Sequence, residues 1–301
     1  MRELRNCPIC GTSSDHAKPF IEENIEPARL SSFSFASRKE PEFMCHTLVQ
    51  CTTCDLVYVE RPPAAGELAH AYHIAEYDSP EEADDAATAY AGAIRNTLDL
   101  LPRRDSVLEI GAGNGAFLDH LAKQGFRRLA GVEPSSAAIG SAPAYRRAWI
   151  REAIFNESDF EPQSFDLICC FMTMEHVHDP SAVAKAAFQL LRPGGALVTV
   201  THDYRSLVNR LLGQRSPIID IEHMQLFSPR SIQFLFEDAG YSNIRSNAFI
   251  NRYALRYWVR LAPMPRRLKQ VVTHAMAMTR TGGVKLGFNV GNLMTAGFKQ
   301  A

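Results

Sequence analysis

Four cysteines near the start of the chain have the spacing of metal ligands. Cys7 and Cys10 form one C-x-x-C pair, and Cys51 and Cys54 form a second. Each pair can present two thiolates to one tetrahedral Zn²⁺ ion, so we predict a structural zinc site with four thiolate ligands. The segment between the pairs, residues 11–50, is longer than a compact zinc module needs. Four unrelated thiols and a redox-active pair therefore remain as alternatives.

A glycine-rich run could bind a nucleotide-like cofactor. Gly111 and Gly113 lie in a G-x-G-x-G run between a predicted strand and a predicted helix. Glycines there let the backbone turn sharply and let a ligand approach where a Cβ would collide. Glu133, at the end of the next predicted strand, is placed to accept hydrogen bonds from ribose hydroxyls. Because Ala116 also completes the dinucleotide-binding pattern, the run alone does not choose the cofactor, and a turn without a ligand stays open.

An acidic residue just before the glycines helps to distinguish between the possible cofactors. Glu109 lies at the end of a predicted buried strand, two residues before Gly111. A positively charged group on the ligand explains a buried acid at this place better than a pyrophosphate does. The residue therefore disfavours a dinucleotide, and with it a dehydrogenase.

Two histidines are candidates for moving a proton. Histidine suits this task near neutral pH. His223 follows Glu222 in a segment between a predicted strand and a predicted helix, where Glu222 could orient or polarise it. His176 follows Glu175 directly after another predicted strand and is a second candidate. The alternatives are a loop histidine that only makes local hydrogen bonds, and a Glu-His pair that only shapes the cleft.

The elements that must position these residues alternate between strands and helices. Continuous apolar runs predict buried strands, and 3.6-residue patterns that begin at Ser/Asp-Pro and end at glycine predict helices. The predicted strands are 107–110, 129–132, 165–171, 196–201, 243–248 and 293–299, and the main predicted helices are 116–124, 180–191, 229–240 and 266–279. This order is typical of an α/β fold with a parallel sheet and crossover helices, here ending in an antiparallel pair.

Differences in composition and in residue pattern divide the chain into three regions. We expect a zinc-binding module at residues 1–63, a helical linker or lid at 64–103, and a catalytic domain with a helical insertion near its end at 104–301. The last long helix, Arg266–Thr279, has an apolar face beside basic residues. That face could rest on a membrane surface as a peripheral contact or pack on the domain.

The ordered motifs resemble the class I S-adenosylmethionine-dependent methyltransferases. The matching segments are 108–115, 132–135, 165–168, 175–180 and 191–195. The resemblance implies a Rossmann-like sheet of seven strands, one of them antiparallel, and S-adenosylmethionine as the cofactor. The residues expected around that cofactor are Glu109 at the amino group, Gly111 and Gly113 at the methionine moiety, Glu133 at the ribose, and Phe171 and Met172 along the cleft.

The cysteine-rich start is similar to the N-terminal module of bacterial sugar and natural-product methyltransferases. In the nucleotide-sugar C-methyltransferases, a Glu-His pair before Phe-Ser is catalytic, which implies His223 as general base with Glu222 beside it. Tyr72 and Tyr77 are candidate counterparts of the tyrosines on a helix before the glycine loop in that family. Those enzymes carry a further large domain after this point, and we expect none here. We therefore expect methylation of a hydroxyl on a sugar, nucleotide-sugar or small natural product, or on a lipid-linked acceptor if the membrane contact exists.

Composition argues against several other classes. The 301 residues carry a formal net charge of −1. This balance disfavours nucleic-acid binding, and thus an RNA methyltransferase, although zinc modules occur in such enzymes. The start of the chain has no signal-peptide pattern and no apolar run approaches the roughly 20 residues that span a bilayer, so we expect a cytoplasmic protein. A non-catalytic interaction protein with the same fold is the remaining alternative.

Overall fold

The computed structural model describes residues 3–300. The first part of the chain consists of short strands followed by helices: β1 (Lys18–Ile21), β2 (Leu48–Gln50), β3 (Val57–Val59), α1 (Ala65–Ile74), α2 (Pro80–Ala93) and α3 (Arg95–Leu100). The helical region expected at 64–103 thus contains three helices. Pro80 starts a new helix at its first position because the ring fixes φ at a helical value and needs no amide donor.

The second part alternates strands and helices as the sequence predicts. Its elements are β4 (Ser106–Ile110), α4 (Ala116–Lys123), β5 (Arg128–Glu133), α5 (Ser136–Ser141), α6 (Ala144–Arg147), β6 (Ile150–Glu152), β7 (Phe165–Phe171), α7 (Pro180–Leu190), β8 (Leu191–His202), α8 (Leu207–Leu212), β9 (Gln225–Leu226), α9 (Pro229–Asp238), β10 (Ser242–Ala248), β11 (Asn251–Ala254), α10 (Leu255–Leu261), α11 (Arg266–Thr279), β12 (Lys285–Phe288) and β13 (Asn292–Phe298).

Seven of these strands form the central sheet in the order β10-β13-β8-β7-β4-β5-β6. Strands β4 to β8 are paired in parallel, and β13 runs antiparallel to both of its neighbours, β8 and β10. This confirms the Rossmann-like α/β sheet of seven strands with one antiparallel member. Strand β7 is buried along its whole length, which is why its sequence is a continuous apolar run. The carboxyl ends of β4, β5, β7 and β8 share one edge of the sheet.

Local capping fixes the helices that flank this sheet. The Asp179 carboxylate accepts a hydrogen bond from the Ala182 amide, and Pro180 occupies the first position of α7. Ser228 and Ser231 form a reciprocal capping box at the start of α9. Strand β8 begins at Leu191 and not at 196 as predicted, because Leu191 already pairs with Phe165 of β7. The Gly194 amide then donates to the Lys299 carbonyl at 2.9 Å.

A second, smaller sheet joins the first region of the chain to the catalytic region. Its order is β1-β2-β3-β9, and every pair in it is antiparallel. Strands β1, β2 and β3 come from the cysteine-rich start, whereas β9 follows the predicted catalytic segment. Between β10 and β13, the expected helical insertion contains α10 and α11 together with a two-stranded sheet of β11 and β12. Among residues 3–300, none of the helices combines the length and the apolar character needed to cross a bilayer.

Candidate active site and cysteine cluster

The carboxyl edge of the central sheet borders a cavity of about 500 Å³. All nine residues that the sequence predicts for the cofactor and for catalysis line this one cavity: Glu109, Gly111, Gly113, Glu133, Phe171, Met172, His176, Glu222 and His223. They come from β4, β5 and β7, from the loops that follow those strands, and from the segment before β9. The fold thus brings the two predicted sets together, and their individual roles stay predictions.

The glycine loop is shaped by contacts that other residues would not allow. Gly111 has φ +77°, and a Cβ there would overlap the Thr173 side chain. Gly113 has φ +52° and faces open space, which leaves a cradle for a ligand. The Glu133 carboxylate braces the loop from below, because one oxygen accepts from the Gly113 amide and the other from the Ser135 amide, each at 2.8 Å.

Glu109 is a buried acid without a counter-ion in contact. Its side chain is only 4% exposed, and Oε2 has no hydrogen-bond partner among the described residues. Burial raises the pKa of Glu109 well above its ordinary value; the positive charge of Arg38 lowers it and Glu133 raises it further. A buried carboxylate in this state favours a cationic ligand group. The amino group of S-adenosylmethionine meets that requirement.

Three histidine rings cluster at the other end of the cavity. The ring centroids of His176 and His223 lie 4.8 Å apart, and those of His202 and His223 lie 5.6 Å apart. His223 Nδ1 lies 2.8 Å from the Ile218 carbonyl oxygen, to which it can only donate, so Nε2 keeps a free lone pair. Burial lowers the pKa of His223 well below 6.5, with the neighbouring His176 and His202 adding to the effect. His223 is therefore neutral at neutral pH, and its Nε2 lone pair can accept a proton.

Glu222 and Tyr72 complete this end of the cavity. The Tyr72 hydroxyl lies 2.9 Å from His176 Nδ1 and donates to the Glu222 carbonyl at 2.9 Å. Burial raises the pKa of the Glu222 carboxyl well above its ordinary value, and Lys39 opposes this. The ligand atoms of His176, Glu222 and His223 all lie within 4.8 Å of one another, so the same three side chains could also hold a divalent cation.

Glu175 ties three segments together behind the histidines. Its Oε1 accepts from the His202 amide at 2.6 Å, and its carbonyl accepts from the Met224 amide at 2.8 Å. The Gln225 side chain donates to the carbonyls of Met174 and Val177. The loop after β7, the end of β8 and the segment before β9 are thereby fixed relative to one another.

Sequence reasoning missed the aromatic wall of the cavity and a basic pair. Tyr253, Tyr257 and Trp258 line the cavity from the insertion, and Arg38 and Lys39 line it from the cysteine-rich region. Lys39 is buried in ion pairs with Asp220 and Glu42. No motif or spacing signals these residues, because they lie far in sequence from the segments they meet.

The four predicted metal-ligating cysteines form one cluster. The Sγ atoms of Cys7 and Cys54 are 3.4 Å apart, as are those of Cys10 and Cys51, and all four lie within 4.8 Å of one another. Tetrahedral Zn–S bonds of about 2.3 Å require sulfur separations of roughly 3.8 Å, so the set fits a zinc ion.

The turns after the second cysteine of each pair support the same geometry. Gly11 and Asp55 have φ of +70° and +73°. Each turn brings a backbone amide back onto the first cysteine of its pair: the Gly11 amide donates to the Cys7 carbonyl and the Asp55 amide to the Cys51 carbonyl. The backbone of both turns is therefore arranged to present two thiols on one side.

The chain is similar to several known proteins. A ubiquinone biosynthesis O-methyltransferase of Yersinia pestis is 31% identical over 109 residues, which are 35% of this chain and 43% of the relative. The chain thus matches less than half the length of such curated relatives. The YcgJ protein of Bacillus subtilis is 20% identical with a TM-score of 0.49, over 70% of this chain and 98% of that one. A possible histamine N-methyltransferase of Thermotoga maritima is 19% identical with a TM-score of 0.49, over 73% and 92%.

The family comparison covers the larger part of the chain. A family model described as a methyltransferase domain matches residues 82–246. This segment includes the glycine loop, Glu133, the end of β7 and the Glu222-His223 pair. The chain therefore belongs to the methyltransferase-domain family.

Proposed function

We propose that the protein transfers a methyl group from S-adenosylmethionine to a hydroxyl of a small acceptor, with His223 as the general base. The observation that carries this proposal is that the buried His223, whose Nε2 keeps its lone pair, lines the same cavity as Glu109, whose Oε2 has no hydrogen-bond partner among the described residues. In the reaction the acceptor oxygen attacks the methyl carbon, the sulfur–carbon bond breaks, and the hydroxyl proton passes to His223 Nε2. The products are the methyl ether and S-adenosylhomocysteine.

The chain's own residues supply cofactor binding and orientation. Glu109 binds the amino group, the cradle at Gly113 admits the methionine moiety, and Glu133 receives the ribose hydroxyls. Phe171 and Met172 line the cleft and exclude water from the sulfonium. Holding the acceptor in line with an already activated methyl group supplies most of the rate enhancement in such a displacement.

Glu222 and His176 are positioning residues in this scheme. Glu222 lies beside the proposed base in the chain, and His176 packs its ring near that of His223. Tyr72 connects His176 to the backbone of Glu222, so the acid–base group has a fixed geometry before the acceptor binds.

Several other lining residues of the cavity favour a hydroxylated ligand with a flat face. Tyr253, Tyr257 and Trp258 offer aromatic surfaces, while the Asn251 and Asn292 side-chain oxygens are buried without a hydrogen-bond partner among the described residues. Sugars, nucleotide-sugars and phenolic natural products all match this combination. The name of the Yersinia pestis relative also supports transfer to oxygen.

We assign the cysteine cluster as a structural zinc site. Four thiolates already fill a tetrahedral coordination sphere, which leaves no open position for substrate. In this scheme the ion fixes the two C-x-x-C turns, and through β2 and β3 it supports the small sheet that β9 completes.

The test begins with calorimetric titration of zinc-loaded protein with S-adenosylhomocysteine, followed by an acceptor screen. We expect wild-type binding, severe loss in Glu109→Gln, and retained binding in His223→Gln with kcat lowered by about 10²–10⁴. Absence of wild-type binding would refute the cofactor assignment and favour a non-catalytic protein of this fold. Full activity of His223→Gln would exclude the general base. Activity that requires added Mg²⁺ would reassign His176, Glu222 and His223 to a cation site.

A further inference from the structure

The charges of this chain are distributed unevenly. No aspartate or glutamate follows Asp238, whereas ten of the 32 lysines and arginines do. Four of these basic residues form ion pairs that hold the insertion against α2 and the neighbouring loops: Arg256 with Glu81, Arg260 with Asp78, Lys269 with Glu40 and Lys285 with Asp85. Internal pairing therefore explains only part of the positive charge.

The basic residues at the two ends of α11 are not among those pairs. Arg266 and Arg267 begin the helix and Arg280 caps it, and Arg252 lies on the adjacent hairpin. All four are exposed, and none has an ion-pair partner among the described residues. The insertion thus presents unneutralised positive charge to solvent.

Helix α11 also has an apolar stripe that faces outward. Leu268, Val271, Ala275 and Met278 follow the spacing that places side chains on one line of a helix. Leu268 is 49% exposed, Val271 65% and Met278 75%. The inward side of the helix is different, because Met276 is buried and Val272 half-buried there. The single apolar face predicted from the sequence is therefore two faces, of which one packs on the protein and one does not.

This exposure is concentrated in the insertion. Sixteen large apolar side chains are exposed in the described part of the chain, and seven of them fall within 250–288: Ile250, Leu268, Val271, Met278, Val284, Leu286 and Phe288. Scattered apolar residues need no explanation, but a concentration of this kind marks an interaction surface.

We propose that the outward stripe of α11, with Arg266, Arg267 and Arg280 at its ends, docks the protein on an anionic lipid bilayer. An amphipathic helix lying in the plane of a membrane combines an apolar face with flanking basic residues. Negative lipid headgroups attract those residues, while Leu268, Val271 and Met278 enter the boundary between headgroups and acyl chains. A second copy of the chain is a poorer occupant, because a two-fold contact along α11 brings the same stripe, with its terminal arginines, against itself.

The placement of the surface connects it to the cavity. The insertion that carries α11 also contributes Tyr253, Tyr257 and Trp258 to the cavity wall. Docking through α11 holds this wall near the membrane, where an acceptor with an apolar tail would reside. The docking surface itself is independent of the proposed reaction, since no residue of α11 lines the cavity.

Vesicle co-sedimentation of the full chain tests the proposal. We expect binding to phosphatidylcholine vesicles that contain phosphatidylglycerol, and little binding to phosphatidylcholine alone. The double variant Val271→Asp/Met278→Asp should lose binding, and Arg266→Gln/Arg267→Gln should weaken it about 30-fold. The matched control is Leu207→Asp/Leu211→Asp on α8, whose side chains are equally exposed but lie outside the insertion. This control should bind as the wild type does.

Three outcomes would overturn the proposal. Wild-type protein that stays in the supernatant with phosphatidylglycerol vesicles has no such surface. Loss of binding in the α8 control but not in the α11 variant places the surface elsewhere. Gel filtration that shows a wild-type dimer, a monomeric α11 variant and no vesicle binding assigns the stripe to self-association. S-adenosylhomocysteine titration of each variant verifies that it is folded, and a failure of methyl transfer leaves the vesicle result unaffected.

Discussion

At the scale of single residues, the proposed contact of Glu109 with the cofactor's amino group predicts that cofactor binding depends on pH. Because burial raises its pKa, its carboxyl holds a proton at pH values where an ordinary glutamate has lost it. The ammonium group of S-adenosylhomocysteine favours the ionised form of the Glu109 carboxyl, so binding of this ligand should release a proton. The affinity should therefore increase as the pH rises toward the pKa that Glu109 has in the ligand-free protein. Calorimetry in two buffers of different ionisation heat measures this release. Wild-type affinity that does not change with pH, with no proton released on binding, would contradict this role of Glu109.

His223 should shift the acidic limb of the rate profile. Its pKa is lowered in the folded protein, so the neutral, basic form persists below pH 6.5. We expect kcat to fall only at a pH below that value. The same shift makes folding less favourable as pH drops below 6.5, because the unfolded chain then binds a proton that the folded chain does not. Measuring kcat and the unfolding free energy against pH, with His223→Gln as control, checks both effects.

The sequence could predict residues of this kind only within its motifs. Gly111, Glu133 and Met172 lie at the carboxyl ends of β4, β5 and β7, and the order of these strands alone brings them to one edge of the sheet. Arg38 lines the same cavity from the cysteine-rich region, and Tyr253 lines it from the insertion. No local sequence pattern predicts that these two residues lie there. Their positions depend on tertiary packing between distant segments.

At the scale of elements, the turn between β4 and α4 allows a matched test of two glycines. Gly111→Ala combines a left-handed φ with overlap on Thr173, and should destabilise the protein by about 2–4 kcal/mol. Gly113→Ala has the left-handed φ but open space around its Cβ, so its stability loss should stay near 1 kcal/mol. Because that space is the proposed cofactor cradle, Gly113→Ala should nevertheless weaken S-adenosylhomocysteine binding. Chemical denaturation and calorimetry measure the two effects, and equal unfolding free energies for the variants would contradict the argument.

The sequence predicts the bounds of some helices and strands accurately and misses others, and each difference has a physical reason. Strand β7 and helix α11 have the bounds that their apolar patterns predict, since clear signals begin and end both segments. In the helical region 64–103, the break before α2 is explained by Pro80, which starts a new helix within a composition that favours helix throughout. Strand β9 carries no usable signal, as its two residues become a strand only by pairing with β3.

At the scale of the whole molecule, the cysteine cluster should influence catalysis from a distance. Strand β3 follows Cys54 closely and pairs with β9, which begins two residues after His223. Arg5, near the first cysteine pair, donates to the carbonyls of Val59 and Met224. Loss of the proposed zinc ion should therefore disturb the catalytic segment as well as the N-terminal region.

The prediction is that Cys51→Ser lowers both the melting temperature and the methyl-transfer rate. Cys45→Ser is the matched control, because Cys45 is equally buried but lies outside the cluster. Thermal unfolding and a methyl-transfer assay before and after chelation provide the readouts. Full activity of metal-free Cys51→Ser would show that the small sheet holds the His223 segment without the ion.

The small sheet takes its strands from two distant parts of the chain, and this limits how the protein can be divided or recombined with relatives. A cut near residue 63 would divide one hydrogen-bonded sheet between two fragments, leaving β9 without its neighbour and the loop of His223 without its support. For this reason, the cysteine-rich part cannot easily be exchanged between related proteins as an independent module. It would have to be inherited together with the segment around β9. A substitution in one of these two segments would restrict which substitutions the other can accept.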